Sequence, residues 1–313
     1  LSLIFFASFD VFFKRSSQSW IKFRYFVEVF LFQGVNFYLK KSKPTMAKSF
    51  QKKKNSPNLG KPKPHKESEN LAAPDVVGMR LNKYVAHCGI CSRRQAGELV
   101  KGGKIIVNDA VEINPAYQIQ ENDVVKYEGN IIEPEQRQVY ILLNKPKGFV
   151  TTLSDEKGRK TVVDLVRSKA TERIFPVGRL DLATTGLLLL TNDGDLAKKL
   201  THPSHGVQKV YHVVLDKPVQ MEHIEAIRNG LELEDGVAIV DGVDHIRGAG
   251  KEEVGLKIHI GKNRIVRRLF EHFGYTVRSL DRTWYAGLTK KDLGRGRSRF
   301  LTEKEVIMLK HFS

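Results

Sequence analysis

Two runs of consecutive apolar residues stand out along the chain, Tyr140 to Leu143 and Leu187 to Leu190. Each is too short for a buried helix. The first is bounded by the breaker Asn144-Lys145-Pro146-Lys147-Gly148, and the second follows a tight connection from Gly178 to Gly186. Both read as interior strands. "KVYHVVL" (209–215) and "VGLKIHI" (254–260) read as further strands. Helical spacing appears at Leu81, Tyr84 and Val85, which fall at i, i+3 and i+4. A second helix opens at Ser92, where Gln95 completes a capping box, and it stops near Lys101 before Gly102-Gly103. "KIIVND" (104–109) gives a short strand and a turn, and "DVVKY" (123–127) another strand. Asp193 or Asp195 starts a short helix. "RIVRRLFEHFGY" (264–275) is a helix closing at Gly274, with Ile265, Leu269 and Phe270 on one face and Arg264, Arg267 and Arg268 elsewhere. Strands and helices mix without a regular βα period, so the fold class is α+β.

The chain divides by composition. Residues 1–45 hold ten of the seventeen phenylalanines, and the first methionine is Met46. Asp10, Lys14, Arg15, Lys22, Arg24 and Glu28 interrupt this segment well short of the roughly 18 apolar residues a membrane span needs. It lacks the basic start and small-residue cleavage site of a signal peptide. An amphipathic membrane anchor competes with an upstream gene-call extension, and the second reading is preferred, with the natural start at Met46. Residues 46–78 turn to Lys, Pro, Asn and Ser, a composition that cannot bury enough apolar surface to order itself. This basic arm either grips phosphates without sequence preference or merely solubilises. A small module follows over 79–137 and a larger domain over 138–313.

Charge sharpens the picture. The formal net charge is +17, which points to a polyanionic partner, nucleic acid before membrane. Residues 1–78 carry 14 Lys and Arg against 5 Asp and Glu, and the rest 38 against 30. About half the excess therefore sits in the tail. The two cysteines, Cys88 and Cys91, are too few for a disulfide framework or a four-cysteine zinc site, and read as small residues packed between helices in a reducing, cytoplasmic compartment. Arg93 and Arg94 occupy a helix first turn, where the macrodipole disfavours cations. They are either solvated charges or, with Lys83 and Lys104, face RNA phosphates.

Familiar catalytic templates are missing. Gly255 and Gly261 have five residues between them and Asn263 follows Lys262, so no Walker A is present. Neither H-E-x-x-H nor G-x-S-x-G occurs. What survives is Asp181, an acid placed between Arg179-Leu180 and a strand of four leucines. From the residues alone it is either pinned structurally or held at a cleft edge for chemistry.

Two resemblances bear on that choice. "RLNKYVAHCGICSRRQAGELVKGGKIIVN" resembles the alpha-L RNA-binding domain shared with a ribosomal protein of the small subunit, in which the "SRR" helix start contacts structured RNA. "LLNKPKGFVTT", "GRLDLATTGLLLLTNDGDLAKKLTHP", "KVYHVVL" and "IGKNRIVRRLFEHFGYTVRSLDR" together resemble bacterial ribosomal-RNA pseudouridine synthases. The subgroup is the one that joins an enzyme acting on small-subunit rRNA to the B-type and F-type enzymes acting on large-subunit rRNA. The resemblance runs in register from about Met79 to the C-terminus. It implies a mixed, mainly antiparallel sheet with a central cleft, and isomerisation of uridine to pseudouridine.

By that resemblance Asp181 is the essential aspartate, either a nucleophile or the base of an elimination. Lys262 matches the basic residue that pairs with it, and Tyr211 the tyrosine that packs on the uracil. Arg179 is expected to grip the flipped nucleotide or fill its place, and Lys145, Arg264 and Arg267 to contact RNA. Ile265 stands where many relatives carry glutamine, which puts any polar contact from that position in doubt. The reaction involves no net redox change or hydrolysis, so no cofactor or metal is expected. The partner is ribosomal RNA or a pre-ribosomal particle, with no membrane, and a monomer is the default. Large-subunit rRNA is preferred over small-subunit rRNA on the similarity of the 261–293 region, and tRNA is less favoured. Two other classes compete. A non-catalytic assembly factor would not need Asp181, Tyr211 and Lys262 together. A two-carboxylate glycosidase would use Asp193 or Asp195, whose helix-start positions explain them more simply.

Overall fold

The computed structural model describes residues 76–135 and 137–311. The expectations for residues 1–45, and for the basic arm up to residue 75, lie outside them. The first module opens with α1 (Leu81–His87) and α2 (Arg93–Lys101). Both halves of the capping box at Ser92 and Gln95 are formed, so two otherwise orphan N–H groups are satisfied at the start of α2. The chain then forms β1 (Ile105–Val107), β2 (Ala110–Val111), β3 (Val125–Tyr127) and β4 (Asn130–Ile131), an antiparallel sheet in the order β2-β1-β3-β4. Leu81, Val85, Ala96 and Val100 of the helices close over Ile105, Ile119 and Val125. Cys88 and Cys91 are free thiols packed against this core, and Cys88 Sγ donates to the Tyr84 carbonyl at 3.2 Å.

The second sheet holds nine strands. Its main path runs β13 (Ser298–Phe300), β5 (Tyr140–Lys145), β7 (Thr185–Thr191), β11 (Val277–Tyr285), β8 (Lys209–Leu215), β10 (Glu253–Ile258), β9 (Gly242–His245). Short strands β6 (Phe175–Pro176) and β12 (Leu288–Thr289) pair with β7 and β11. Only β7 and β11 run parallel, so the sheet is mixed and mainly antiparallel, as expected.

Alternation along β7 explains the four leucines. Leu188 and Leu190 join Ile141 and Leu143 on one face, under α4 (Met221–Asn229) and α5 (Ile265–Glu271). Leu187 and Leu189 join Tyr140 and Leu142 on the other, under α3 (Gly194–Thr201) and α6 (Glu303–Lys310). A strand buried on both faces reads as a continuous apolar run. Truncating one such leucine to alanine costs about 2–5 kcal/mol, so β7 is a stiff base for the loop that precedes it.

Asp193 caps α3 by accepting from the Leu196 N–H, as the pattern predicts. The same segment joins the two modules. Lys83 Nζ lies 3.0 Å from Asp195 Oδ2, and Asn192 Nδ2 donates to Glu135 Oε2 at 3.2 Å. Among the described residues no helix is long and apolar enough to cross a membrane.

Candidate active site

The connection from Gly178 to Thr184 leaves β6 and enters β7, and it carries Asp181. It has little regular structure, yet its backbone is held at several points. Thr184 N–H donates to the Asp181 carbonyl at 3.0 Å, closing a turn, and Gly148 N–H donates to the Leu182 carbonyl at 3.0 Å. Thr151 Oγ1 donates to the Leu180 carbonyl at 2.7 Å and accepts from the Leu180 N–H at 3.3 Å. Gly186, with φ at +106°, lets β7 approach β11 so closely that a Cβ there would collide with the Arg282 backbone.

The firmest hold comes from Lys145. Its side chain is wholly buried, and Nζ donates to the carbonyls of Asp181 at 3.0 Å, Thr184 at 2.9 Å and Pro146 at 3.2 Å. Burial pushes this ammonium down to about 8, a shift that Asp181 opposes and Arg295 reinforces. The expected RNA contact from Lys145 is therefore corrected: a cation with no exposed surface cannot reach a phosphate, and it fixes the Asp181 loop from behind.

Asp181 projects from this braced loop with its side chain 44% exposed, so its carboxylate is reachable. The cation facing it is Arg267 on α5, whose Nε lies 3.9 Å from Asp181 Oδ2. Arg267 is buried, and its Nη1 donates to the Val277 carbonyl at 3.0 Å, which anchors the guanidinium. Its Nε is buried without a hydrogen-bond partner, leaving one donor directed at the acid's side of the cleft. This corrects two expectations. Arg267 was expected among the phosphate contacts, but its side chain is only 10% exposed and faces Asp181 within the cleft. Lys262 was expected to pair with Asp181, but its Nζ donates to the carbonyls of Asp235 at 2.7 Å and Gly236 at 2.8 Å and lies 3.5 Å from Asp235 Oδ1.

Asp181, Tyr211, Lys262 and Arg267 nevertheless line one cleft of about 200 Å³. Tyr211, on β8, lies between Leu256 of β10 and Arg282 of β11 and is 8% exposed, so it forms part of the floor. Lys209 and Arg282 join it there. Burial first, then Arg282, pushes the Lys209 ammonium down to about 8. Arg282 donates from Nε to the Leu187 carbonyl at 2.8 Å and stacks 4.4 Å over the Tyr285 ring. Neither residue was singled out from the sequence. Their signal was present in "KVYHVVL", which Lys209 opens, and in "SLDRTWY", where Arg282 beside Asp281 interrupts an otherwise strand-like run.

Of the remaining expected RNA contacts, Arg179 is exposed at the cleft and Arg264 is exposed at its rim, paired with Glu271 at 3.2 Å. Arg264 sits at φ +46°, an uncommon conformation for a residue with a side chain, and turns the chain into α5. Arg93 and Arg94 lie exposed along an open groove of about 1010 Å³ that also touches Asn82 and Tyr127. Lys104 is exposed as well. Lys83 departs from expectation, because Asp195 engages it in the contact between modules. Among the described residues no group of three or more His, Cys, Asp or Glu could hold a metal ion.

Comparison with known proteins places these observations in a family. Residues 139–272 match the RNA pseudouridylate synthase model, and residues 79–125 match the S4 domain model. The ribosomal large subunit pseudouridine synthase B of Bacillus subtilis is 39% identical over 234 residues, covering 74% of this chain and 95% of that protein. The dual-specificity RNA pseudouridine synthase RluF of Escherichia coli K12 is 36% identical over 233 residues, covering 74% of this chain and 78% of that protein. A crystal structure of a pseudouridylate synthase superposes with a TM-score of 0.53 at 28% identity, covering 74% of this chain and 99% of that one. With the S4 and synthase regions matched in the same order, and relatives matched over most of their own lengths, this chain belongs to the S4-bearing RNA pseudouridine synthases.

Proposed function

We propose that this enzyme isomerises one uridine of large-subunit ribosomal RNA, with Asp181 carrying the chemistry. The observation that supports the reading most directly is the placement of Asp181: a reachable carboxylate on a braced loop, opposite the buried Arg267, at a cleft floored by Tyr211. In the reaction the N1–C1′ bond breaks, the uracil turns, C5 bonds to C1′, the C5 proton departs and N1 gains a proton. Asp181 serves either by attacking C1′ or by removing a sugar proton. Arg267, with its Nε 3.9 Å from the carboxylate, supplies the positive charge that faces Asp181 across the cleft. Tyr211 packs on the uracil and assists loss of the C5 proton. A uridine stacked in a duplex cannot reach this cleft, so the target nucleotide is extruded or lies in a loop. Arg179 and Arg264 at the mouth grip the extruded strand, while Arg93, Arg94 and Lys104 hold structured RNA from the S4 module. The reading is of a monomer acting in the cytoplasm on ribosomal RNA or a pre-ribosomal particle, and the large-subunit assignment is supported by the Bacillus subtilis relative.

The test is pseudouridine mapping of all stable RNA in cells lacking the gene, complemented by wild type or by Asp181→Ala. One large-subunit site should vanish and return only with wild type. A lost site in small-subunit rRNA or tRNA would overturn the substrate assignment, and an unchanged map would overturn the activity in these cells.

A further inference from the structure

A second group of ionisable side chains lies behind the Asp181 loop and is not used by the chemistry above. Asp281, in β11, is 6% exposed and surrounded by donors. Its Oδ1 accepts from Thr185 Oγ1 at 2.9 Å and from Arg295 Nη1 at 2.9 Å, and Lys290 Nζ donates to its Oδ2. Burial pushes the carboxyl up, but hydrogen bonds from Arg295 and Lys290 outweigh this and hold it at about 2, so it is ionised at neutral pH.

Arg295 reaches further. The same Nη1 donates to Asn144 Oδ1 at 2.8 Å. Asn144 is held at every other polar group: its Nδ2 donates to the Leu293 carbonyl, its N–H to the Arg297 carbonyl, and its carbonyl accepts from Gly296 N–H. The end of β5, the start of β7 and the middle of β11 are thus tied at one buried point. The Asp181 loop departs from that point. Lys145, next to Asn144, grips the carbonyls of Asp181 and Thr184, and Thr184 precedes Thr185.

We propose that Asp281, bridged to Asn144 by Arg295, is a positioning residue that fixes the ends of β5 and β7 and thereby sets Asp181 against Arg267. The inference rests on the reading of Asp181 as the reacting group. A carboxylate suits this task because one group can bind a hydroxyl, an ammonium and a guanidinium from three segments at once, each with charge-assisted geometry. Both Asp281 oxygens and both side-chain polar atoms of Asn144 have hydrogen-bond partners, as a buried polar network requires. The device matters for rate because a reacting group displaced by about 1 Å costs on the order of 10²-fold.

Arg295→Lys keeps a cation beside Asp281, but the shorter side chain with its strongly hydrated ammonium does not reproduce the anchored position of Nη1 between Asp281 Oδ1 and Asn144 Oδ1, and the side chain is 43% exposed, so the fold tolerates the change. Asp281→Asn removes the charge itself. Both are compared with wild type and Asp181→Asn by single-turnover rate at saturating enzyme, RNA dissociation constant and circular dichroism melting, below the melting range of every variant. The expected result is a rate loss of about tenfold or more in both variants, with the dissociation constant within about twofold. If Asp281→Asn does not fold, Arg295→Lys alone decides. Wild-type rates with lowered melting temperatures would reduce the cluster to a structural role and overturn the proposal. A loss confined to RNA affinity would overturn it too, making Arg295 a substrate contact. An active Asp181→Asn would instead defeat the reading of Asp181, and the positioning role with it, whereas an inactive one beside an unimpaired Arg295→Lys defeats the positioning role alone.

Discussion

Arg267 and Lys262 separate two roles that look alike in the sequence. Arg267 is buried with its Nε 3.9 Å from the Asp181 carboxylate, while Lys262 is held by the Asp235 and Gly236 carbonyls. Arg267→Gln should therefore lower the single-turnover rate by about 10²–10³-fold, the loss typical of one preorganised electrostatic partner. RNA affinity should change little, since the side chain has almost no free surface. Lys262→Met should lose less rate than Arg267→Gln, and the reverse order in the same assay would restore Lys262 as the partner. The sequence shows Arg264, Arg267 and Arg268 in one short helix, and residue type cannot say which is buried. Tertiary placement decides it: Arg267 is buried with its Nη1 on the Val277 carbonyl, while Arg264 precedes α5 at φ +46° and stays exposed. Lys145 misled for a related reason. A lysine ending an apolar strand beside Pro146 looks like a surface cation, and only the fold supplies the carbonyls that hold it. Lys145→Met leaves those carbonyls without their donor and should cost about 1–3 kcal/mol of stability by denaturant unfolding, with activity falling as the loop loosens.

At the level of elements, the Asp181 loop is anchored where β5, β7 and β11 meet, and the cleft adds Tyr211 of β8 and Arg267 of α5. β5, β7, α3 and the capping box of α2 were legible, because apolar runs and cap residues are local signals. The strand most important to the site, β11, was not. Asp281 and Arg282 are buried in its middle, and register shifts between Val277 and Ser279 and between Arg282 and Trp284 break the period-two pattern. The charges that hide the strand are those that organise it. Asp281 also gives the fold an acid sensitivity. Its carboxyl lies at about 2 in the folded chain against 3.8 when unperturbed. A lowered folded value means the unfolded chain binds the proton more readily, so this stabilisation is complete above about pH 4 and is lost as pH falls through about 2. Its size is about 2 kcal/mol. Acid titrations of stability should show a shallower decline between about pH 4 and pH 2 for Asp281→Asn than for wild type, and identical slopes would contradict the assignment.

Across the whole molecule, the arrangement is a reacting cleft joined to a separate RNA-holding module. The order of modules was legible by resemblance, because the S4-like and synthase-like motifs follow one another in register. The contact between them was not, since nothing local foretells that Lys83 meets Asp195. That contact removes Lys83 from the free surface cations and leaves Arg93 and Arg94 exposed along the S4 groove. The Arg93→Ala/Arg94→Ala double variant should weaken RNA binding and reduce the slope of log affinity against log salt by about 1.4–1.8, if each arginine neutralises one phosphate. An unchanged slope would remove both from the interface.

The most direct test of the account is the single-turnover rate of Asp181→Asn on the RNA carrying the mapped uridine, with binding measured in parallel. Asparagine keeps the size of the side chain and removes its charge. The account predicts no detectable pseudouridine, with RNA bound near wild-type affinity and melting unchanged. Pseudouridine formation within about tenfold of wild type, a loss small enough for a missing hydrogen bond alone, would show that Asp181 does not carry the reaction.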